Sequence, residues 1–189
     1  LADAMVALAH EALVQKYGTL LDGAEVTRRA EIIGMAAIKF YLLRFNPQSV
    51  VVFDPRKSLS FDGDTGPYCL YTYARIQSIV QKAREKGVEA SSDTSLSFSL
   101  LGTEEERALA RGLIAFPASV QLSAETYNPS IVADRVFDLC RDFNRFYRSH
   151  PVIGEDEVLM RERLHLAKAT GEMIRRGLSL LGIETLDQM

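Results

Sequence analysis

The sequence has neither a long apolar run nor an excess of positive charge. A transmembrane helix needs about 20 consecutive apolar residues, and no segment provides them. No signal-peptide pattern opens the chain either. The net charge is −3, which excludes a generally basic nucleic-acid-binding surface, so any contact with RNA must come from a local patch.

Cysteine and histidine are also scarce, with only two cysteines and three histidines in the chain. Cys69 and Cys140 make no metal-ligand spacing with the histidines, and we expect both to be buried free thiols of a cytosolic protein. No nucleophile or acid–base pair is recognisable around the histidines. We therefore predict no catalytic residues, no metal site and no cofactor site in this chain.

Apolar residues recur at helical spacing along nearly the whole sequence, which predicts an all-α helical bundle. The chain has 189 residues, 47% of them hydrophobic, enough for one sizeable domain or two small ones. Pro117 is expected to kink or interrupt the fourth helix. Residues 50–53 are expected to form an extended connector or an isolated strand, and Gly87 with residues 91–95 a loop. The predicted helices cover residues 1–17, 24–45, 67–86, 103–127, 129–149 and 155–181.

Three of these helices have apolar stripes that predict their buried faces. The first carries Leu1, Met5, Leu8 and Ala12. The fifth carries Val132, Val136, Leu139 and Phe143. The last carries Met160, Leu164, Ala167, Gly171, Ile174, Leu178 and Leu181. In the last stripe the two small residues would let a neighbouring backbone approach closely, and Gly182 is the expected helix end.

The most informative segment is 61–79, where a helix start precedes several tyrosines and an arginine. Pro67 suits a first helical position and follows three candidate N-cap residues, 64–66. Tyr68, Tyr71 and Arg75 then lie at i, i+3 and i+7, close to one helix face. Aromatic rings beside a guanidinium can stack unpaired bases and hold phosphate. A half-buried core stripe is the commoner explanation of such spacing.

The order of residues in this segment resembles arginyl-tRNA synthetases, at the junction between the catalytic and anticodon-binding domains. There a Gly-Asx-Thr-Gly/Ala-Pro-Tyr/Phe turn opens a helix reading Tyr-x-Tyr-x-Arg-Ile-x-Ser-Ile. Stretches 34–43 and 52–55 match the same family ahead of the segment. Stretches 143–152 and 177–189 match it afterwards, so the resemblance extends from about Ile32 to the last residue.

The resemblance implies that residues 1–66 are the helical end of a class I catalytic region and residues 67–189 an anticodon-binding bundle. The family's two ATP-binding motifs, His-Ile-Gly-His-like and Lys-Met-Ser-Lys-Ser-like, do not occur, and residues 57–60 only echo the second. The intact enzyme would use ATP with magnesium to charge tRNA(Arg) with arginine, whereas this chain alone is expected to be inactive. Its start at Leu1 fits a fragment of a longer protein.

The same resemblance implies a set of anticodon contacts, in which aromatic rings stack on unpaired bases. The alternative for Phe143 is that its ring is buried and completes the apolar seam of its helix. The ending 183–189 departs from the family's usual Pro-x-Arg-Met, which leaves the last contact open. The candidate residues are Tyr68, Tyr71, Arg75, Phe143, Tyr147 and Met189.

A further positively charged feature is the stripe of Arg141, Arg145 and Arg148, which could bind phosphates. Aspartates at 134, 138 and 142 are interleaved with it at pairing distance. A solvated, salt-bridged helix face is therefore the favoured interpretation of this stripe.

The expected partners are the anticodon stem-loop of tRNA(Arg) and the enzyme's own upstream catalytic domain. No membrane contact is expected, and the resemblance implies a cytoplasmic monomer. One alternative is the related bundle of a cysteinyl-type synthetase, against which the Thr-Gly-Pro-Tyr turn argues. Another is a helical scaffold that binds protein, whose exposed surface would be a flat apolar patch rather than an aromatic groove.

Overall fold

A computed structural model describes residues 1–88 and 97–189 of the protein. Within these ranges it contains seven α-helices and no β-strand, which confirms the predicted all-α fold. The expected loop at 91–95 lies outside the described residues. The helices are α1 (Ala2–Tyr17), α2 (Gly23–Leu43), α3 (Pro55–Ser58), α4 (Gly66–Glu85), α5 (Glu104–Glu125), α6 (Ser130–Ser149) and α7 (Glu157–Leu180), with a 3₁₀ turn at Gly18–Leu20.

Helix α4 connects the two halves of the fold. Helices α1 and α2 pack against each other, and α5, α6 and α7 pack together, while α4 contacts α2, α6 and α7. One continuous apolar core contains buried residues from both halves, among them Leu13 on α1, Phe40 on α2 and Leu178 on α7. The position of α4 therefore sets the position of any surface built on it.

The ends of the long helices follow from local sequence. Thr65 is the N-cap of α4, and its hydroxyl accepts the N–H of Tyr68 at 3.2 Å. Thr103 and Glu106 form a capping box at the start of α5. Gly182 ends α7 at φ +67, a left-handed conformation that glycine adopts without strain.

Two of the predicted stripes are confirmed, because every listed residue of the α6 seam and the α7 stripe is buried. The predicted face of α1 is only partly right: Met5 is buried as predicted, but Leu1, Leu8 and Ala12 are exposed, and α1 buries Ala9 and Leu13 in their place. The reason lies on α2, where the absence of a side chain at Gly34 lets the α1 backbone come close. A Cβ at Gly34 would lie 3.0 Å from the Cα of Val6.

Smaller differences occur at three other places. Helix α5 continues through Pro117 without interruption. Residues 50–53 form an irregular connector and not a strand. The short helix α3 was not predicted; the side chain of Asp54 caps it by accepting the N–H groups of Arg56 and Lys57.

Glycines set the close approach of α4 to its neighbours. A Cβ at Gly66 would lie 2.6 Å from the carbonyl carbon of Ala36 on α2 and would overlap its carbonyl oxygen. A Cβ at Gly171 on α7 would lie 2.9 Å from the Cγ2 of Ile76 on α4, so the glycine there admits a side chain and not, as predicted, a neighbouring backbone. The fold therefore places α4 directly against the backbone of α2.

We expect Gly66→Ala to lower the free energy of unfolding by about 1–3 kcal/mol, because the added methyl group meets backbone atoms that cannot rotate away. Urea denaturation of the chain measures this change. Gly23→Ala is the matched control, since Gly23 also begins a helix but has open space around its Cα. Equal stability of the two variants would contradict the close contact of α4 with α2.

A buried ion pair joins α5 to α7. The carboxylate of Glu106 has no exposed surface and accepts the Nε–H of Arg163 at 2.8 Å and the N–H of Thr103 at 2.9 Å. Burial acts to raise the pKa of Glu106, but the hydrogen bonds from Thr103 and Arg163 outweigh it and hold the pKa below its ordinary 4.5. The carboxylate is therefore charged in the folded protein at neutral pH.

We expect Glu106→Gln to destabilise the protein by about 3 kcal/mol at pH 7, because it leaves Arg163 without its buried counter-charge. The folded-state pKa lies below the unfolded one, so the contribution of Glu106 is complete above pH 4.5 and is lost as the pH falls through the folded pKa. The difference in unfolding free energy between the variant and the unaltered protein should therefore decrease as the pH falls. Urea denaturation between pH 3 and 7 tests this, with the exposed Glu104→Gln as a control expected to change stability by under about 1 kcal/mol.

Candidate functional site

Four of the six predicted contact residues lie together in one open groove beside α4. Helix α4 provides Tyr71 and Arg75, the C-terminal end of α6 provides Tyr147, and Met189 is the last residue of the chain. The groove encloses about 270 Å³. We call it the tyrosine groove; its full lining is Tyr71, Ala74, Arg75, Ser78, Ile79, Lys82, Tyr147 and Met189.

The C-terminal segment reaches the groove because it is anchored to the core. After Gly182 the chain turns back, and Ile183 and Leu186 are buried. The Nζ of Lys39 on α2 donates to the carbonyl of Gly182. These contacts place Met189 beside the groove.

Arg75 is held among aromatic rings. Its guanidinium lies 4.7 Å from the ring centroid of Tyr71 and 5.8 Å from that of Tyr147, within cation–π range. Its Nη2 donates to the hydroxyl of Tyr71 at 3.2 Å, and its Nη1 donates to the Oδ1 of Asn144. Arginine has five N–H donors, so this arrangement fixes the position of the charge and keeps donors for a ligand.

Tyr147 presents an exposed aromatic ring with a rigid support. The ring is stacked on Phe143, with centroids 6.0 Å apart and planes inclined by 8°. The residue is 39% exposed, whereas Phe143 is fully buried. A flat ring that is supported by a buried neighbour and partly exposed to water is suited to stacking with another flat group.

The structure corrects the prediction for Phe143 and changes that for Tyr68. Phe143 has no exposed surface, so its proposed stacking on a base is wrong; the ring completes the α6 seam and supports Tyr147. Tyr68 is half-buried and lies outside the tyrosine groove, with its ring 5.6 Å from that of Phe137. Burial raises the pKa of its hydroxyl, which accepts the Nδ2–H of Asn144.

Asn144 is the functional residue that the sequence analysis missed. Its Nδ2 donates to the Tyr68 hydroxyl and to the Thr72 Oγ1, both at 2.9 Å, and its Oδ1 accepts from Arg75. One amide thus joins α6 to three residues of α4. The available signal was its helical position, three residues before Tyr147 and therefore on the same side of α6.

Two of the three arginines of the α6 stripe, Arg141 and Arg145, are salt-bridged, as the favoured interpretation predicted, whereas Arg148 is exposed. Arg141 lies 2.8 Å from Asp138 and 3.9 Å from Asp142, and Arg145 lies 3.9 Å from Asp142. Charge on this face is therefore largely compensated by neighbouring carboxylates.

Other candidate chemistry gives no further site. Cys69 and Cys140 are buried free thiols, as predicted. Asp64, in the turn before α4, pairs with Arg44 at 2.5 Å. Among residues 1–88 and 97–189, no cluster of three or more His, Cys, Asp and Glu could hold a metal ion, and no helix is long and apolar enough to cross a membrane.

Comparisons with known proteins agree over nearly the whole chain. A family model for the DALR anticodon binding domain matches residues 69–189. The chain is 38% identical to an arginine–tRNA ligase of Fusobacterium nucleatum over 181 residues, covering 96% of this chain and 31% of that protein. It therefore spans about a third of the length of this curated relative.

Two solved structures superpose on the complete chain. The arginyl-tRNA synthetase of Thermus thermophilus gives a TM-score of 0.85 at 30% identity, covering 100% of this chain and 31% of that one. The arginyl-tRNA synthetase of Plasmodium falciparum gives a TM-score of 0.87 at 24% identity, covering 100% and 33%. The second match shows a shared fold.

We expect Asn144→Ala to lower the free energy of unfolding by about 1–3 kcal/mol, because it leaves the polar groups of Tyr68, Thr72 and Arg75 without their shared partner. Urea denaturation measures the loss. Asn46→Ala is the control: the Asn46 amide oxygen accepts one backbone N–H in an exposed loop, so little change is expected. A variant as stable as the control would show that the Asn144 contacts do not hold α4 and α6 together.

Proposed function

The chain belongs to the DALR anticodon-binding domain family, and from this premise we propose that its tyrosine groove binds the anticodon loop of an arginine tRNA. The observation that carries the proposal is the convergence of Tyr71, Arg75, Tyr147 and Met189, from three separate parts of the chain, on one groove. We propose that the tRNA is an arginine tRNA because the relative at 38% identity is an arginine–tRNA ligase and the structure at a TM-score of 0.85 is an arginyl-tRNA synthetase.

Stacking supplies the main part of the proposed affinity. Each base stacked on an aromatic side chain contributes about 1–3 kcal/mol. The Tyr147 ring is already supported by Phe143, and Arg75 is already fixed by Asn144 and Tyr71. Because these groups are ordered before the RNA arrives, little conformational entropy is lost on binding.

Charge makes a smaller and more local contribution to the proposed affinity for RNA. The net charge of −3 gives no general attraction for RNA, and Arg141 and Arg145 on α6 are paired with aspartates. Arg75 is the cation that the tyrosine groove holds beside its rings. Binding should therefore depend on the anticodon bases, with a modest dependence on salt.

We also propose a role for the chain within a larger enzyme. Residues 1–66 would be the helical end of the catalytic region and residues 67–189 the anticodon-binding bundle. The intact protein would charge tRNA(Arg) with arginine in the cytoplasm as a monomer. ATP and magnesium would bind outside this chain, because the two ATP-binding motifs of class I synthetases, His-Ile-Gly-His-like and Lys-Met-Ser-Lys-Ser-like, do not occur in it.

We expect Tyr147→Ala to weaken binding of a labelled arginine-tRNA anticodon stem-loop by about tenfold, because one stacking surface is lost. Fluorescence anisotropy measures the dissociation constant, with circular dichroism as a check that helicity is unchanged. A loop altered at the middle anticodon base should bind the unaltered chain more weakly than the native loop.

Tyr127→Ala is the matched control for this experiment. Tyr127 is 88% exposed and precedes α6, in which Tyr147 lies near the opposite end, about 25 Å along the helix axis from the first residue. Equal losses of affinity in the two variants would show that the tyrosine groove is not part of the RNA-binding surface. An unaltered chain that binds no loop would contradict the proposed function and favour a helical scaffold for protein partners.

A further inference from the structure

A second groove continues from the tyrosine groove along α4. Ser78 and Lys82 line both grooves, so the two surfaces are contiguous. The second groove encloses about 580 Å³, and all of its lining residues are polar or charged. We call it the amide groove; its lining includes Ser78, Gln81, Lys82, Glu85, Asp187 and Gln188.

The spacing along α4 aligns the two grooves. Tyr71, Arg75, Ser78 and Lys82 follow one another at steps of four, three and four, which keeps them on one helix face. Arg75 and Lys82 are seven residues apart, or about 10 Å along the axis. At about 3.4 Å per stacked base, this distance corresponds to about three nucleotides of one strand. Neighbouring nucleotides can therefore occupy both grooves.

The wall of the amide groove opposite α4 is held in place. It is made by the C-terminal segment, in which Leu186 is buried and Glu184 pairs with Arg28 at 3.3 Å. Burial raises the pKa of the Tyr73 hydroxyl, and the neighbouring carboxylate of Asp187 raises it further. Gln188 is exposed between this anchored segment and Met189. Its amide is therefore presented at a fixed edge of the groove.

The polar groups of the amide groove suit a base edge better than a chain of phosphates. Gln188 offers both donors and an acceptor, the pattern that reads adenine and other base edges. Asp187 and Glu85 can accept from exocyclic amino groups but repel phosphate. Lys82 is the cation among these lining residues, and it lies where the two grooves meet.

Building on the proposed function, we propose that the amide groove binds the nucleotide next to the one stacked in the tyrosine groove. In this arrangement Gln188 and Asp187 contact the base edge, and Lys82 contacts the phosphate that joins the two nucleotides. The RNA would thus be held at two adjacent bases, by stacking at the first and by hydrogen bonds at the second.

The role of Lys82 is tested with Lys82→Gln and the same anticodon stem-loop. We expect the dissociation constant to rise by about threefold to fivefold for every loop sequence, and the slope of log affinity against log salt to fall by about 0.7. Arg107→Gln is the matched control, because it removes one exposed positive charge from α5, on another side of the bundle. It should leave both quantities unchanged.

The role of Gln188 is tested with Gln188→Ala and three loops, each altered at one anticodon base. We expect discrimination at one position to fall by about tenfold while discrimination at the others is kept. Gln121→Ala, on α5, is the matched control, since Gln121 is exposed and bonds only to Glu125 among the described residues.

The outcomes separate the two proposals. If the unaltered chain binds and Tyr147→Ala weakens binding, but Lys82→Gln and Gln188→Ala behave like their controls, the amide groove is not a nucleotide site and the proposed function stands. If the unaltered chain binds no loop, both proposals are overturned. Loss of affinity with unchanged salt slope in Lys82→Gln would overturn the phosphate contact.

Discussion

The hydrogen bonds of Asn144 join α6 to α4 beside the tyrosine groove, whose rings and guanidinium come from these two helices. One amide contacts Tyr68, Thr72 and Arg75, which span two turns of α4. Because the amide provides both donors and an acceptor, it satisfies all three partners at once. Apolar contacts between the two helices are not directional, so they would not by themselves hold Arg75 beside the rings.

The same link explains how an arginine can be part of a stacked aromatic surface. Removing a guanidinium from water is costly unless hydrogen bonds replace those to water. Asn144 and the Tyr71 hydroxyl supply such bonds, and the rings of Tyr71 and Tyr147 supply the cation–π contacts. The groove is therefore ordered by its own side chains, which suits recognition of a flexible single-stranded loop.

Features of one helix were predictable from the sequence, whereas features that depend on a partner helix were not. The α6 seam and the α7 stripe followed from periodicity alone. The buried face of α1 did not, because Gly34 on α2 selects it. Periodicity places Phe143 and Tyr147 on the same side of α6, and only the packing decides that the first is buried and the second exposed.

Long-range contacts also explain why the sequence does not indicate the role of Asn144 and does not fix the position of Met189. The partners of Asn144 lie 69 to 76 residues earlier in the chain, a separation at which helical spacing carries no information. The position of Met189 depends on how the segment after α7 docks, and this segment has no periodic pattern of its own. Its anchors, such as Lys39 on α2, lie in a distant part of the sequence.

The docking of this last segment shows that the N-terminal helices shape the groove without lining it. Lys39 and Arg28 on α2 hold Gly182 and Glu184, and the buried Leu186 keeps the segment against the core. Helix α2 also packs against the start of α4 at Gly66. Two of the three parts that form the tyrosine groove, α4 and the C-terminal segment, are therefore positioned by α2. All of them pack on one continuous core.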